Sequence, residues 1–150
     1  MTSWVGLDGS PSPHLIRAAL HVARIVDSDG SHCNDLQASY SHRATGGLYP
    51  PADLRHAENL LLDCGLLTKC DEVVRPIPSI VELVNGDPED LVSFICIKAI
   101  ERLQALHVPS IGLVLRSFSD ELGILVDSST RREEILLALS RRFDDAERRL

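Results

Sequence analysis

The sequence predicts a mainly α fold with one small β-hairpin, and three observations carry that prediction. Amphipathic stretches opened by proline recur along the chain, at Ser12-Pro13, Pro50-Pro51 and Asp87-Pro88. Only six residues are aromatic, so leucine, isoleucine, valine and alanine have to fill the core, which favours helix packing over a sheet-rich sandwich. One short segment, Leu66–Ile77, departs from helical spacing and reads as two strands around a polar turn.

Serine is a good N-cap and proline suits the first helical position, so Ser12-Pro13 opens the first helix. Leu15, Ile16, Ala19, Leu20, Ala23 and Val26 recur at helical spacing behind it, and Asp27-Ser28-Asp29-Gly30 stops it. A second, short helix is expected from about Asn34 to Tyr40, with Leu36 and Tyr40 on one side. Ala44-Thr45-Gly46-Gly47 then breaks the chain. The third helix starts near Pro51, carries Leu54, Ala57, Leu61 and Cys64 on one stripe, and ends at Gly65, where glycine suits the left-handed position after a helix. Leu66–Lys69 and Val73–Ile77 form the hairpin, and Pro76 and Pro78 keep its second strand short. Ser79–Val84 reads as a short helix closed by Asn85-Gly86.

Asp87-Pro88 begins a helix through about Leu106. Its run LVSFICIKAI is apolar on most sides and rich in β-branched residues, so periodicity alone does not separate helix from strand there. Within His107–Val126, Pro109 starts an element, and Ser117–Gly123 reads as a loop or short helix. Thr130-Arg131-Arg132-Glu133 has the form of a capping box. Ile135, Leu139, Phe143, Ala146 and Leu150 then line one face, which is expected to pack on the Pro88–Leu106 helix, with homodimerisation as the alternative. Leu15, Leu20, Leu54, Leu61, Phe94, Ile97, Ile100, Leu139 and Phe143 form the expected core. The expected organisation is a first domain over residues 10–85 and a helical region over 88–150 that continues into a further domain.

The chain of 150 residues has 44% apolar and 25% charged residues, the ordinary globular class. No apolar run reaches the 18–20 or so residues needed to cross a bilayer. The N-terminus lacks the basic and apolar regions of a secretory signal, so a cytoplasmic location is expected. The four cysteines, Cys33, Cys64, Cys70 and Cys96, are expected as reduced thiols. They lack the paired spacing of a zinc site, so no metal and no cofactor is expected. Serine-nucleophile, phosphate-loop and dinucleotide motifs are all missing from the sequence, and no enzymatic role is expected.

Net charge is −7, which opposes simple binding to a phosphate backbone. The distribution is uneven. Residues 1–60 hold six acids, four arginines and five of the six histidines, whereas residues 61–150 hold sixteen acids against eleven lysines and arginines. On the third helix the face opposite the apolar stripe carries Arg55, His56, Asn59 and Asp63. Arginine forks onto guanine and asparagine onto adenine in a major groove, and Arg55 and Asn59 are neighbours at i,i+4. His42 and Arg43 precede that helix, and Lys69 and Arg75 lie on the hairpin, a set suited to phosphate contacts. Read plainly, the same residues are a solvated helix face, with Asp63, Asp71 and Glu72 placed to repel phosphate.

The stretch Pro50–Pro76, with LLLDCGLL at the helix end and the hairpin after it, resembles the winged helix-turn-helix superfamily. With the first two helices the resemblance covers about residues 12–78. It implies a DNA duplex as partner, read by Arg55, His56 and Asn59, with Lys69, Arg75, His42 and Arg43 around them. The alternative it leaves open is a protein-interaction or assembly module without nucleic-acid contact. The tail STRREEILLALSRRFDDAERRL, Ser129–Leu150, looks like the helix leading into a nuclease-like C-terminal domain of bacterial defence and restriction-associated proteins. That family's catalytic residues lie past the matching stretch, and none carries over to this chain.

Overall fold

The run of small and branched apolar residues behind His14 makes a helix with one broad apolar side, which leaves Arg24 exposed and Arg17, His21 and Ile25 only partly covered. In the computed structural model, which describes Trp4, Pro11, residues 14–107 and residues 111–148, with side chains to Arg141, this helix is α1, Leu15–Ile25. Leu15, Ile16, Ala18, Ala19, Leu20, Val22 and Ala23 are all buried, which adds Ala18 and Val22 to the expected stripe. The expected opening at Ser12-Pro13 lies outside the described residues.

The Asp27–Gly30 stop is a turn. The Asp27 side chain accepts from the Asp29 N–H at 3.1 Å, and Gly30 takes φ +110°. Two residues of strand follow, β1, Ser31–His32. No strand is expected here, because a strand of two residues leaves no alternation to read. Helix α2, Cys33–Ala38, is capped by His32, whose Nδ1 accepts from the Asn34 N–H at 3.1 Å. A one-turn helix, α3, His42–Thr45, precedes the Gly46-Gly47 break and is capped by Ser41. Helix α4, Pro51–Asp63, buries Leu54, Ala57, Leu60 and Leu61, most of the expected stripe, while Cys64 is only half-buried. Gly65, at φ +73°, turns the chain into β2.

Strands β2, Leu67–Cys70, and β3, Val73–Pro76, pair antiparallel, one residue offset from the expected bounds. Strand β1 adds to the other edge of β3, so the sheet order is β1-β3-β2. Four helices follow: α5, Pro78–Val84; α6, Pro88–Ala105; α7, Ile111–Leu125; and α8, Ser129–Arg148. The architecture is therefore mainly α with a small three-stranded antiparallel sheet. No helix of the described residues is long and apolar enough to cross a membrane.

The ambiguous run in the middle of the chain is helix α6. It is one-sided: Leu91, Val92, Ile95, Cys96, Ala99, Ile100 and Leu103 are buried. Phe94 and Ile97, expected in the core, are half-buried at its flank, where Lys98 Nζ lies 5.5 Å from the Phe94 ring centre. Ser117–Gly123 is the body of α7, whose inner face is Ile111, Val114, Phe118 and Leu122. Helix α8 starts earlier than the Thr130 capping box implies. Ser128 is the cap, its hydroxyl oxygen accepting from the Arg131 N–H at 3.3 Å. Ile135 and Leu139 are buried and α8 packs on α6 and α7, as the stripe requires. Phe143, Ala146 and Leu150 lie outside the residues whose side chains are described.

One apolar cluster runs through the chain, from Trp4 through α1 and α4 to Leu139. Helix α1 sits at its middle, in contact with α4, α5, α6 and α7. The first amides of a helix lack partners within it, and His14 offers α1 no side-chain cap. Glu121, on α7 and 1% exposed, supplies the missing acceptors. Its carboxylate accepts from the Ile16 N–H at 3.1 and 3.0 Å and from the Arg17 N–H at 3.1 Å, and Arg17 Nε stands 3.5 Å away. Burial pushes the Glu121 carboxyl above its ordinary value, against the opposing pull of the two amides and Arg17.

Glu121→Ala strands two amide donors and takes from Arg17 its carboxylate partner, and is expected to cost roughly 3 kcal/mol in equilibrium unfolding. Unchanged stability would refute the role of this cap. The pH dependence follows from the raised folded value. Between 4.5 and that value the folded chain holds the proton more tightly than the unfolded chain, so Glu121's contribution falls as pH rises through the interval and is level above it. The stability difference between the parent and Glu121→Gln should therefore shrink as pH rises through that interval. A difference that grows would reverse the assignment.

Candidate nucleic-acid interface

The exposed side of α4 follows from its buried one. With Leu54, Ala57, Leu60 and Leu61 turned to α1 and the core, the outer stripe is Ala52, Arg55, His56 and Asn59. Arg55 and His56 are exposed and Asn59 is half-buried. Arg55 forms no ion pair among the described residues, and Asn59 sits one turn further along the same face.

The acidic residues of α4 are engaged elsewhere. By helical period alone Asp63 shares the Arg55 face and is a repulsive charge there. In the fold Asp63 accepts from Trp4 Nε1 at 3.0 Å and from an Arg102 guanidinium nitrogen at 3.3 Å. It is thereby turned toward α6 and paired with a cation. Glu58 accepts from the Tyr40 hydroxyl at 2.8 Å, and burial together with the Glu58 charge pushes the Tyr40 phenol far above its ordinary value. Asp53, in the first turn, complements the helix dipole. Trp4 and Arg102 were not legible as partners of Asp63, since they lie 59 and 39 residues away in sequence.

The hairpin divides its two cations. Thr68 pairs with Arg75, and Lys69 pairs with Val74. Directly paired residues share a face of a sheet and successive residues alternate. Val74 is fully buried, so Lys69 emerges on the face that the helices cover, at the free edge of β2. Arg75 emerges on the opposite face, beside Gly30. A Cβ on Gly30 would meet Val73 Cγ1 at 2.7 Å and the Arg75 Cγ and Nε at 3.1 and 3.2 Å, so this glycine makes room for both side chains ahead of β1. Lys69 and Arg75 thus do not form one patch.

His42 and Arg43 are exposed on α3. The His42 ring lies under Gly47, where a Cβ would come within 2.8 Å of its Cε1, and the Gly47 N–H donates to the His42 carbonyl at 2.9 Å. His42 therefore shapes the loop into α4, and Arg43 is the freer cation. His32 is also committed, its Nε2 standing 3.5 Å from the Glu72 carboxylate.

Cys64 and Cys96 sit in apolar surroundings. Burial pushes the Cys64 thiol up to about 12 and raises Cys96 as well, which keeps both protonated and poor as nucleophiles or metal ligands. Among the described residues no group of three or more histidines, cysteines and carboxylates could hold a metal ion. Comparison with family models, with curated proteins and with solved structures finds no match to this chain.

At the hairpin tip Asp71 and Glu72 both have positive φ, +51° and +66°. A two-residue turn with both central residues left-handed is the type I′ turn, which matches strand twist but favours Asn-Gly. Neither residue here is glycine, so the turn is strained. Glu72→Gly should relieve that strain and raise stability by about 0.5–1 kcal/mol, because the exposed His32–Glu72 pair contributes little. Thermal unfolding of the variant checks this, and a lowered midpoint would contradict it.

Proposed function

We propose that this chain is a non-enzymatic, DNA-binding winged-helix module in which α4 enters the major groove of a duplex. The observation that carries the reading is the disposition of charge on α4. Asp63 is paired with Arg102 and Glu58 is bonded to Tyr40, which leaves Arg55 and Asn59 facing outward with little competing charge. The order α1-β1-α2-α3-α4-β2-β3 and the sheet order β1-β3-β2 support the same reading. Arg55 takes guanine and Asn59 adenine, with His56 beside them, while Lys69 and Arg43 contact phosphate. The bacterial defence setting implied by the tail belongs to the same proposal. A protein-docking role for this face draws on Leu48, 68% exposed in the loop leading into α4.

Titration of labelled duplexes against salt tests the reading. Binding should weaken steeply as salt rises, through counterion release. Arg55→Ala should cost about 1–3 kcal/mol on a preferred site and relax its specificity. Lys69→Ala should weaken all sequences alike and lower the salt slope by about 1. Arg75→Ala, on the far face of the sheet, should leave the slope unchanged. Absence of binding to any duplex at low salt removes the DNA reading and favours the protein-docking one.

A further inference from the structure

The outer face of α7 carries two of the five large apolar side chains that stand exposed among the described residues. Leu113 is 45% exposed and Ile124 is 62% exposed. They are three turns apart, and at about 100° per residue they point the same way. Arg116 and Asp120 lie between them on that face, both exposed, and neither forms an ion pair among the described residues. The opposite side of α7 is the buried one, with Phe118 and Leu122 in the core.

This stripe is complementary to itself. The midpoint between Arg116 and Asp120 is position 118, and the midpoint between Leu113 and Ile124 falls between 118 and 119. A single two-fold axis at that level therefore sets Arg116 of each copy against Asp120 of the other. In the same register Leu113 of each copy meets Ile124 of the other. A parallel arrangement would instead oppose arginine to arginine and aspartate to aspartate. Complementary charge fixes register and orientation in such a contact, and a two-fold interface has to be self-complementary.

We propose that the outer face of α7 is the contact surface of a homodimer, with two α7 helices packed antiparallel about a two-fold axis at the level of residue 118. The surface differs from the Ile135–Leu139 stripe of α8, which is buried within the chain. The proposal is independent of the DNA reading.

Charge exchange on the full chain tests it by analytical ultracentrifugation. The parent should sediment as a dimer that dissociates on dilution. Arg116→Asp alone opposes aspartate to aspartate, and Asp120→Arg alone opposes arginine to arginine. Each should weaken dimerisation by about tenfold or more while retaining the parent's helical circular dichroism. Mixed together, the two single variants should form a heterodimer, since every opposed pair is then attractive. The variant carrying both exchanges should dimerise by itself. Ile124→Ser, which leaves the charges alone, should also weaken the dimer and serves if a charge variant fails to fold. A parent that stays monomeric at high concentration overturns the proposal. So does a dimer that survives both single exchanges, or single variants that do not pair on mixing.

Discussion

The carboxylate of Glu121 on the first turn of α1 is the contact from which most of this architecture follows. Helix α1 is the central element, touching four other helices, and the Ile16 amide at its N-terminus is buried, with that of Arg17 partly so. An unmet amide in such a place is costly, and the acceptor comes from a residue 105 positions later. The front helices and the sheet thus depend for a central backbone requirement on a helix from the rear of the chain. Arg17 joins the same group and offsets the buried charge, so three chemical needs meet at one point: two amide donors, a carboxylate and a cation.

How much of this was readable follows from how local each signal is. Helix α4 was legible because proline, apolar spacing and Gly65 all lie within the segment they define. The hairpin was legible for the same reason, to within one residue. Helix α7 was not. Gly112, Gly123 and two serines dilute its helical signal, and Glu121 occupies an inward position where the pattern calls for an apolar residue. That glutamate makes sense only beside the end of α1, which no local pattern reveals. At the start of α8 Thr130 and Glu133 mimic a capping box, while Ser128 sits where the backbone actually turns into the helix.

The candidate interface divides in the same way. Which residues of α4 face outward was readable from helical period, and Arg55 and His56 are exposed as that period requires. What happens to the charges around them was not. Asp63 reads as a repulsive neighbour until Arg102 and Trp4 are brought to it, and Lys69 and Arg75 read as one pair until strand register separates them. Net charge alone is therefore a poor guide to this surface, because a carboxylate held by a guanidinium projects little field of its own.

The left-handed turn at Asp71-Glu72 has a consequence for what the hairpin can tolerate. A loop of two residues leaves no slack, so β2 can pair with β3 only in the frame that sets Lys69 beside Val74. Adding one residue to the tip and keeping the pairing tight would slide one strand by a single step. Every side chain of that strand would then change sides. The lysine would exchange places with its neighbours, and a threonine or cysteine would be driven toward the helices. Variation in loop length, usually the most permissive kind of change in a surface turn, is here confined to insertions that widen the loop and leave the Lys69–Val74 frame in place.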